Sequence, residues 1–364
     1  MDSVTQFVLG AAVGEAVLRT PRSERTESRW GWGAAFLGGI VGTIPDLDVV
    51  TRAWLDGPER LAAHRGLSHS IFLCALLTPI LASLFRRAFA HTEVSWSRWA
   101  TFVWLVLNTH WMLDCFTLYG TQIFRPFSNY PVNGASVFII DPVYTLTLLI
   151  GLVCSLWAGR GGRPLNPKGV RTGLALSTLY LLFTVASKIA VMHRFDLSWE
   201  ASGRAAPVAR ITAPTPFNSI LWYCYVDTGS DVWVADSSLF DPTERVIRWQ
   251  RIPKNTELLS EFGEGRADKV LLWFSRGFYR LDIIDGRPVF IDLRFGRLKS
   301  WLVPQAPEGE DYMFCYNLQP ANSKGPFDNF DTVRPSGRFS QFPWELFWAR
   351  LRGQDPLGAA SHSN

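Results

Sequence analysis

Charged residues are scarce in this chain. Asp, Glu, Lys and Arg make up only 19% of its 364 residues, the net charge is +4, and the arginines fall in short clusters. The continuous basic stripe that is typical of nucleic-acid binding is missing, so we expect no nucleic-acid partner. A soluble protein of this length would carry more charge on its surface. The shortage of charge therefore points away from an ordinary soluble enzyme.

Cysteine is also sparse. The five cysteines are far apart in the sequence, and none belongs to a CxxC pair. This spacing excludes a disulfide framework and a zinc site built on sulfur. Cys74, Cys115 and Cys154 lie inside apolar segments, where we expect them to be small buried hydrophobic residues.

Long apolar segments are concentrated in the first 192 residues. Six of them can be identified, at Val4–Leu18, Trp30–Ile44, Leu67–Phe85, Trp99–Phe116, Val137–Ala158 and Val170–Met192. The last four have about 18 to 23 residues, enough to cross a hydrocarbon core roughly 30 Å thick. The first two are shorter, and either span the membrane or form a re-entrant hairpin packed through its glycines. Residues 1–194 are therefore predicted to form an α-helical membrane bundle of four to six hydrophobic helices.

After Met192 the pattern changes to short β-rich stretches separated by turn residues. Strands are predicted at Ile220–Val226, Val232–Val234, Val270–Phe274, Gly277–Ile284 and Pro288–Phe295. The pair Asp285-Gly286 between the last two is a typical hairpin turn. We predict a β-rich extramembrane domain over residues 195–352 and a disordered tail over residues 353–364.

Basic residues are unevenly distributed among the loops that connect the apolar segments. The loops after the first, third and fifth segments hold eleven Arg and Lys residues, and those after the second and fourth hold four. Because the more basic loops face the cytoplasm, the Asp46–Gly66 loop, the Tyr119–Ser136 loop and the tail beyond His193 are expected outside. In that oxidising space Cys224 and Cys315 could form a disulfide.

Asp and His residues recur near the ends of the apolar segments. They occur in Ile44-Pro45-Asp46-Leu47-Asp48, in His64-Arg65-Gly66-Leu67-Ser68-His69-Ser70, in Asn108 through Asp114, and in Ile139-Ile140-Asp141-Pro142. The predicted orientation places all four stretches on the outer face. A carboxylate inside a membrane costs roughly 2.5 to 3.5 kcal/mol, and no matching set of lysines accompanies these. A divalent cation, zinc or manganese, is therefore the expected partner, because carboxylate and imidazole groups bind such ions.

The spacing of these residues favours a shared site. His110 and Asp114 are four apart in a predicted helix, so they project from one face. The full set of candidate ligands is Asp46, Asp48, His64, His69, His110, Asp114 and Asp141. They could hold one ion or bridge two.

Structural roles for the same residues remain open. His110 could be a hydrogen-bonded helix residue, and Asp46 and Asp48 could end a helix with solvated carboxylates. Asp141 before Pro142 fits a helix N-cap, and His64-Arg65 fits a basic pair at the membrane interface.

These stretches resemble a known protein family. The opening Met1-Asp2-Ser3-Val4-Thr5-Gln6, the motifs above and Tyr119-Gly120-Thr121-Gln122 look like the YdjM-like family of bacterial inner-membrane, metal-dependent hydrolases, over about residues 1–192. Many members have His where this chain has Gln6. The resemblance implies a multi-pass protein of the bacterial inner membrane with hydrolase activity.

The expected function is metal-assisted hydrolysis. Water made acidic by the cation would attack an ester or phosphoester, with Asp48 or Asp141 as the candidate general base. The position at a membrane face suggests a lipid-like or envelope substrate. The alternative is a non-enzymatic carrier or scaffold with a structural metal or proton-relay site. A carrier should have polar residues through the full depth of several helices, whereas here they cluster at one end.

The distribution of basic residues generates a test of topology. A reporter that is active only in the cytoplasm, fused after Asp196, is expected to be inactive, because the tail beyond His193 should be outside. The same reporter fused after Arg87, in a basic loop, is the matched control and should be active. Activity of the first fusion would overturn this placement of the tail and of the metal site.

Overall fold

The computed structural model describes residues 1–18, 32–158, 168–260, 265–297, 312–320, 327–333 and 342–355. The chain divides into two compact units. The first contains Met1–Thr51, Ala63–Val185 and Pro216–Asn218, and the second contains Arg52–Ala62, Ala186–Thr215 and Ser219–Asn364. The basic residues Arg19 to Arg29, Arg160 and Arg163, and the predicted tail from residue 356 onward, lie outside the described residues.

Helices dominate the N-terminal half of the chain. They are α1 (Ser3–Leu18), α2 (Gly33–Thr43), α3 (Gly57–Ala63), α4 (Ile71–Ala88), α5 (Trp96–Cys115), α6 (Pro142–Ala158) and α7 (Lys168–Ala201), with short 3₁₀ helices at Pro45–Ala53, Leu67–His69 and Ala90–Thr92. The side chains of Ser70 and Ser95 accept backbone N–H bonds at the starts of α4 and α5, which is the usual role of serine at a helix N-cap. Residues of α7 from Ala186 onward belong to the second unit.

Only some of these helices are long and apolar enough to cross a membrane. Among the described residues α4 and α7 meet that requirement, and α2 with Pro45–Thr51 forms a third candidate that bends by 49°. The helices α1 and α6 are apolar but shorter. The first unit is thus a helical region with two or three candidate spans. The predicted number of four to six hydrophobic spans is not confirmed.

Glycines set the distance between α1 and α2. Gly10 and Gly14 of α1 face Gly38 and Gly42 of α2, and a Cβ added at Gly10, Gly14 or Gly38 would overlap the backbone of the other helix. A Cβ at Gly42 would lie 2.9 Å from the carbonyl oxygen of Gln6. This arrangement is the small-residue packing common in membrane helix pairs, and it brings the C-terminal end of α2 against the start of α1.

The second unit is rich in antiparallel sheet. One sheet has the order β1 (Ala209–Pro214), β2 (Leu221–Asp227), β3 (Asp231–Ser238) and β4 (Gln250–Pro253), and the other has the order β5 (Tyr279–Ile284), β6 (Arg287–Arg297), β7 (Tyr312–Pro320) and β8 (Phe327–Val333). Helices α8 (Arg266–Ser275) and α9 (Trp344–Leu351) and a 3₁₀ helix at Thr256–Ser260 accompany them. Asp285 and Gly286 both have positive φ, as a type I′ turn requires, which confirms the predicted β5–β6 hairpin.

The strand predicted at Val270–Phe274 is wrong, because this stretch lies inside helix α8. Its buried apolar residues Ala267, Leu271 and Phe274 are spaced four and three apart, which is the period of a helix buried on one face. Read alone, the continuous apolar run from Val270 does not distinguish a buried strand from a helix.

The disulfide considered for Cys224 and Cys315 is also wrong. Both are free thiols, with Cys224 on β2 of one sheet and Cys315 on β7 of the other. Burial raises the pKa of each thiol to about 12, which keeps it protonated and unreactive.

The glycine contact between α1 and α2 leads to a stability prediction. Gly38→Ala should lower the stability of the detergent-solubilised protein by about 1 to 3 kcal/mol, because the new methyl group overlaps the backbone of α1. Ile40→Ala removes an exposed side chain from the same helix and serves as the control. Thermal unfolding should show a clear loss for the first variant only, and equal midpoints would contradict this packing.

Candidate metal centre

Four of the predicted ligands lie together in the first unit. Asp46 comes from the 3₁₀ helix after α2, His69 from the 3₁₀ helix before α4, and His110 and Asp114 from α5. Each offers one donor atom, and these four atoms all lie within 4.8 Å of one another. Among the described residues this is the group whose composition and geometry suit a metal ion.

The helix period and the loop geometry explain the convergence. His110 and Asp114 are one turn apart on α5, and His110 Nε2 lies 3.8 Å from Asp114 Oδ2. The 3₁₀ helix that starts at Pro45 turns the chain after α2, which places Asp46 beside both imidazole rings. Gly66 precedes the second 3₁₀ helix, where His69 is fully buried.

The distances among the donor atoms fit one ion. The two imidazole Nε2 atoms are 3.2 Å apart, Asp46 Oδ1 is 3.6 Å from each of them, and Asp114 Oδ2 is 3.3 Å from His69 Nε2. Ligands at about 2.1 Å from a tetrahedral ion would be about 3.4 Å from one another. The separations just given are therefore close to the distances between neighbouring ligands of a tetrahedral ion.

Hydrogen bonds to the other ring nitrogens orient both imidazoles. His110 Nδ1 lies 2.6 Å from the carbonyl oxygen of Gly42, which can only accept, so Nδ1 carries the proton and donates it. His69 Nδ1 lies 2.9 Å from Ser68 Oγ. When His69 Nδ1 donates to Ser68 Oγ, the Nε2 lone pairs of both neutral rings face the space between them, where a cation would bind. Such second hydrogen bonds are usual for metal-binding histidines.

The carboxylates also have unused lone pairs. Asp46 Oδ2 and Asp114 Oδ2 are buried and accept no hydrogen bond from the described residues. The Nε2 atom of His69 lies 3.3 Å from Asp114 Oδ2 and 3.6 Å from Asp46 Oδ1, so two carboxylates bring negative charge to one ring. A cation bound beside the ring of His69 would neutralise the negative charge of these two carboxylates. A divalent ion thus suits both the donor set and its charge.

Gln6 supports the site without belonging to it. Its Nε2 atom donates to Asp114 Oδ1 at 3.0 Å and to the carbonyl oxygen of His110 at 3.1 Å. The α-amino group of Met1 contacts the same Asp114 oxygen. These contacts hold Asp114 Oδ1 and leave Oδ2 directed at the two rings.

Asp48 and His64 form a separate pair beside the four-residue group. His64 Nδ1 lies 3.2 Å from both carboxylate oxygens of Asp48. Asp48 Oδ2 also accepts the backbone N–H of Arg65 at 2.8 Å and lies 4.0 Å from His69 Nδ1. The structure therefore places this pair behind His69 and not among the four converging donors.

Asp141 is placed apart from the other predicted ligands. Its Oδ1 accepts the backbone N–H of Tyr144, which makes it the N-cap of α6, and its Oδ2 accepts the hydroxyl of Tyr180 at 2.7 Å. The N-cap role was one of the two roles considered for Asp141, and these bonds agree with it.

Arg65 is the residue that sequence reasoning missed. It was considered as part of a basic pair at the interface, yet its side chain is only 3% exposed. Its Nη1 donates to Thr117 Oγ1 at 2.8 Å, its Nε lies 3.3 Å from Asp114 Oδ2, and its guanidinium lies 5.2 Å from the ring centre of Tyr119. In the sequence, only its position between the candidate ligands His64 and His69 indicated that Arg65 could lie at the site.

The loop after α5 closes around Arg65. Gln122 donates its backbone N–H to the carbonyl oxygen of Arg65 at 2.9 Å, and Thr121 pairs with Val132 in an isolated β-bridge. The Tyr119-Gly120-Thr121-Gln122 stretch therefore lies against the segment that carries His64 and His69.

Comparison with known proteins agrees with these features. The sequence model of the YdjM inner membrane protein family matches residues 1–191. The uncharacterized protein YfhP of Bacillus subtilis (strain 168) is 27% identical over 192 residues, which cover 50% of this chain and 51% of that protein. The chain thus spans about half the length of the curated relative it matches. No solved structure matches it. Because the family match covers more than half of the chain and includes all the clustered Asp and His residues, the protein belongs to the family of YdjM inner membrane proteins.

Proposed function

We propose that this protein is a membrane-bound, metal-dependent hydrolase that acts on an ester or phosphoester at the outer face of the inner membrane. One observation carries the proposal. Two imidazoles and two carboxylates from three separate segments direct their donor atoms at one point, in surroundings where charge is costly. A divalent ion, zinc or manganese, is the partner that suits this set.

The four converging residues would hold the ion, and one of them is nearer to solvent. The side chain of Asp46 is 17% exposed, whereas those of His69, His110 and Asp114 are at most 1% exposed. A bound divalent ion supplies Lewis acidity, which lowers the pKa of water and polarises the bond to be cleaved. Substrate and water would approach from the side of Asp46, because the other three ligands are enclosed by the helices.

The Asp48–His64 pair suits the transfer of a proton. The side chain of His64 is 21% exposed, and Asp48 accepts a hydrogen bond from its Nδ1. This bond places the second ring nitrogen as an acceptor, as in other carboxylate–histidine pairs that act as general bases. Between the two candidate bases, Asp48 acting through His64 is favoured over Asp141, because Asp141 is fully buried and engaged at the start of α6.

Metal content tests the shared site. His69→Ala and His110→Ala should each lower bound metal sharply, and the double variant should add little, since the ligands of one ion act as a unit. His193→Ala, an exposed histidine on α7, is the matched control and should retain full metal. Elemental analysis of the detergent-purified protein gives the readout. Small, additive losses from the two variants would favour separate structural roles.

Catalysis requires a second test that leaves the ion in place. Asp48→Asn keeps the size of the side chain and an acceptor for the Arg65 backbone, so metal content should stay close to that of the wild type. Hydrolysis of p-nitrophenyl phosphate or p-nitrophenyl acetate should fall by roughly 10²- to 10⁴-fold, the usual contribution of a general base. Wild-type activity should disappear with a chelator and return with Mn²⁺ or Zn²⁺. A protein that binds metal but hydrolyses neither compound would favour a scaffold with a structural metal.

A further inference from the structure

Exposed apolar side chains lie next to the metal ligands in the sequence. The 3₁₀ helix that carries Asp46 also carries the exposed side chains of Leu47, Val49 and Val50, and Leu67 is exposed close to His69. Leu47 is 58% exposed and Leu67 is 54% exposed. Leu47, Val49 and Val50 belong to a candidate membrane span, and because exposed apolar surface is unfavourable in water by about 25 cal/mol per Å², these side chains suit contact with lipid.

The loop after α5 extends this apolar rim. Its backbone is held to the start of α4, because Ser70 Oγ donates to the carbonyl oxygen of Arg125 and Ile71 N–H donates to that of Ile123. This contact sets the ring of Phe127 edge-on against Phe72 at a centroid distance of 5.0 Å. Phe127 is 80% exposed. We define the apolar rim as Leu47, Val49, Val50, Leu67, Phe72 and Phe127.

Buried positive charge lies beside the metal centre. The carboxylates of Asp46 and Asp114 would balance a divalent ion, and Asp48 is engaged by His64 and by the backbone of Arg65. The guanidinium of Arg65, 3.3 Å from a ligand oxygen, and the α-amino group of Met1 are buried positive charges at Asp114. In low-dielectric surroundings a charge acts over several ångströms with little screening. An anionic group at the centre would be stabilised more strongly than a neutral ester.

We propose that the substrate is a phosphoester of a membrane lipid, with its phosphate at the metal centre and its acyl chains along the apolar rim. This inference rests on the proposed hydrolase function and narrows its substrate class. The apolar rim alone would suit any lipid, and the positive charge of Arg65 alone would suit any phosphate, so the two together favour a lipid phosphoester. Arg65 is a positioning residue in this assignment, because it is buried and acts through Asp114 and through its field.

The reaction is then hydrolysis at phosphorus. The oxygen of water forms a new bond to phosphorus, and the bond from phosphorus to the lipid oxygen breaks. His64, held by Asp48, accepts a proton from the water and returns it to the departing lipid alkoxide. The products are a lipid alcohol and a phosphate, and no oxidant or second substrate is required.

Binding of three probes to the manganese-loaded, full-length protein in detergent micelles tests the inference. The probes are dioleoyl phosphatidic acid, dioleoylglycerol and glycerol 3-phosphate, and their affinities are measured by titration calorimetry. We expect phosphatidic acid to bind at least tenfold more tightly than either of the others. Equal affinity for glycerol 3-phosphate would exclude a role for the rim, and equal affinity for dioleoylglycerol would exclude a role for the charge.

Variants separate the two contributions. Arg65→Gln should weaken phosphatidic acid binding by about tenfold or more, whereas Arg65→Lys, which keeps the charge, should stay within about threefold of the wild type. Arg86→Gln, at an exposed arginine near the end of α4, is the control and should have no effect. Metal content is measured for each variant. Loss of affinity in Arg65→Lys with full metal content would overturn the charge argument.

The rim is tested independently of Arg65, so the inference stays testable even if Arg65→Gln loses its metal. Leu47→Asn combined with Phe127→Asn should weaken phosphatidic acid binding at least fivefold and leave glycerol 3-phosphate binding unchanged. Leu84→Asn combined with Trp157→Asn changes two side chains of similar exposure near other helix ends and is the matched control. Equal effects of the two pairs would contradict the rim.

Failure of this inference can be distinguished from failure of the proposed function. Hydrolysis of p-nitrophenyl phosphate without any preference for phosphatidic acid would retain the hydrolase and overturn the lipid substrate. Selective binding of phosphatidic acid without hydrolysis of any probe would retain the lipid site and overturn the hydrolase.

Discussion

The electrostatic repulsion among Asp46, His69, His110 and Asp114 is the constraint on which the first unit depends. One donor atom from each of two carboxylates and two imidazoles lies within 4.8 Å of the others, and three of these four residues are buried. Positive charge stabilises such a group, and two nearby groups supply it at Asp114, the guanidinium of Arg65 and the α-amino group of Met1. Both of these groups contact Asp114, whereas Asp46 Oδ1 lies 3.6 Å from each imidazole Nε2, so a divalent ion would add its charge between Asp46 and the two rings.

Helix packing makes this group possible. The glycines of α1 and α2 let the two backbones touch, and this contact sets Gly42 beside Gln6. The carbonyl oxygen of Gly42 orients the ring of His110, and the amide of Gln6 orients Asp114. A larger residue at Gly38 or Gly42 would push α1 and α2 apart. It would therefore displace the groups that orient His110 and Asp114, although it contacts neither side chain. The glycines of the second apolar segment therefore help to position two of the four residues of the metal centre.

Local patterns in the sequence predicted the features that depend on local geometry. The helix period brought His110 and Asp114 to one face, and Asp285-Gly286 set the hairpin. The strand predicted at Val270–Phe274 failed because a short apolar run carries no period of its own. The separation of Asp48 and His64 from the four ligands, and the burial of Arg65, depend on contacts between distant segments. Spacing in one sequence does not encode such contacts.

The number of protein ligands bears on the choice of metal. Hydrolysis requires an open coordination position, and structural zinc sites are closed by four protein ligands. If all four residues bind through one atom each, a tetrahedral zinc would be complete, which suits a structural role. A six-coordinate ion such as Mn²⁺ would keep two positions for water and substrate, and Asp46 is the most exposed of the four residues that would hold it. The hydrolase proposal therefore favours manganese at this centre, whereas a scaffold with a structural metal would favour zinc.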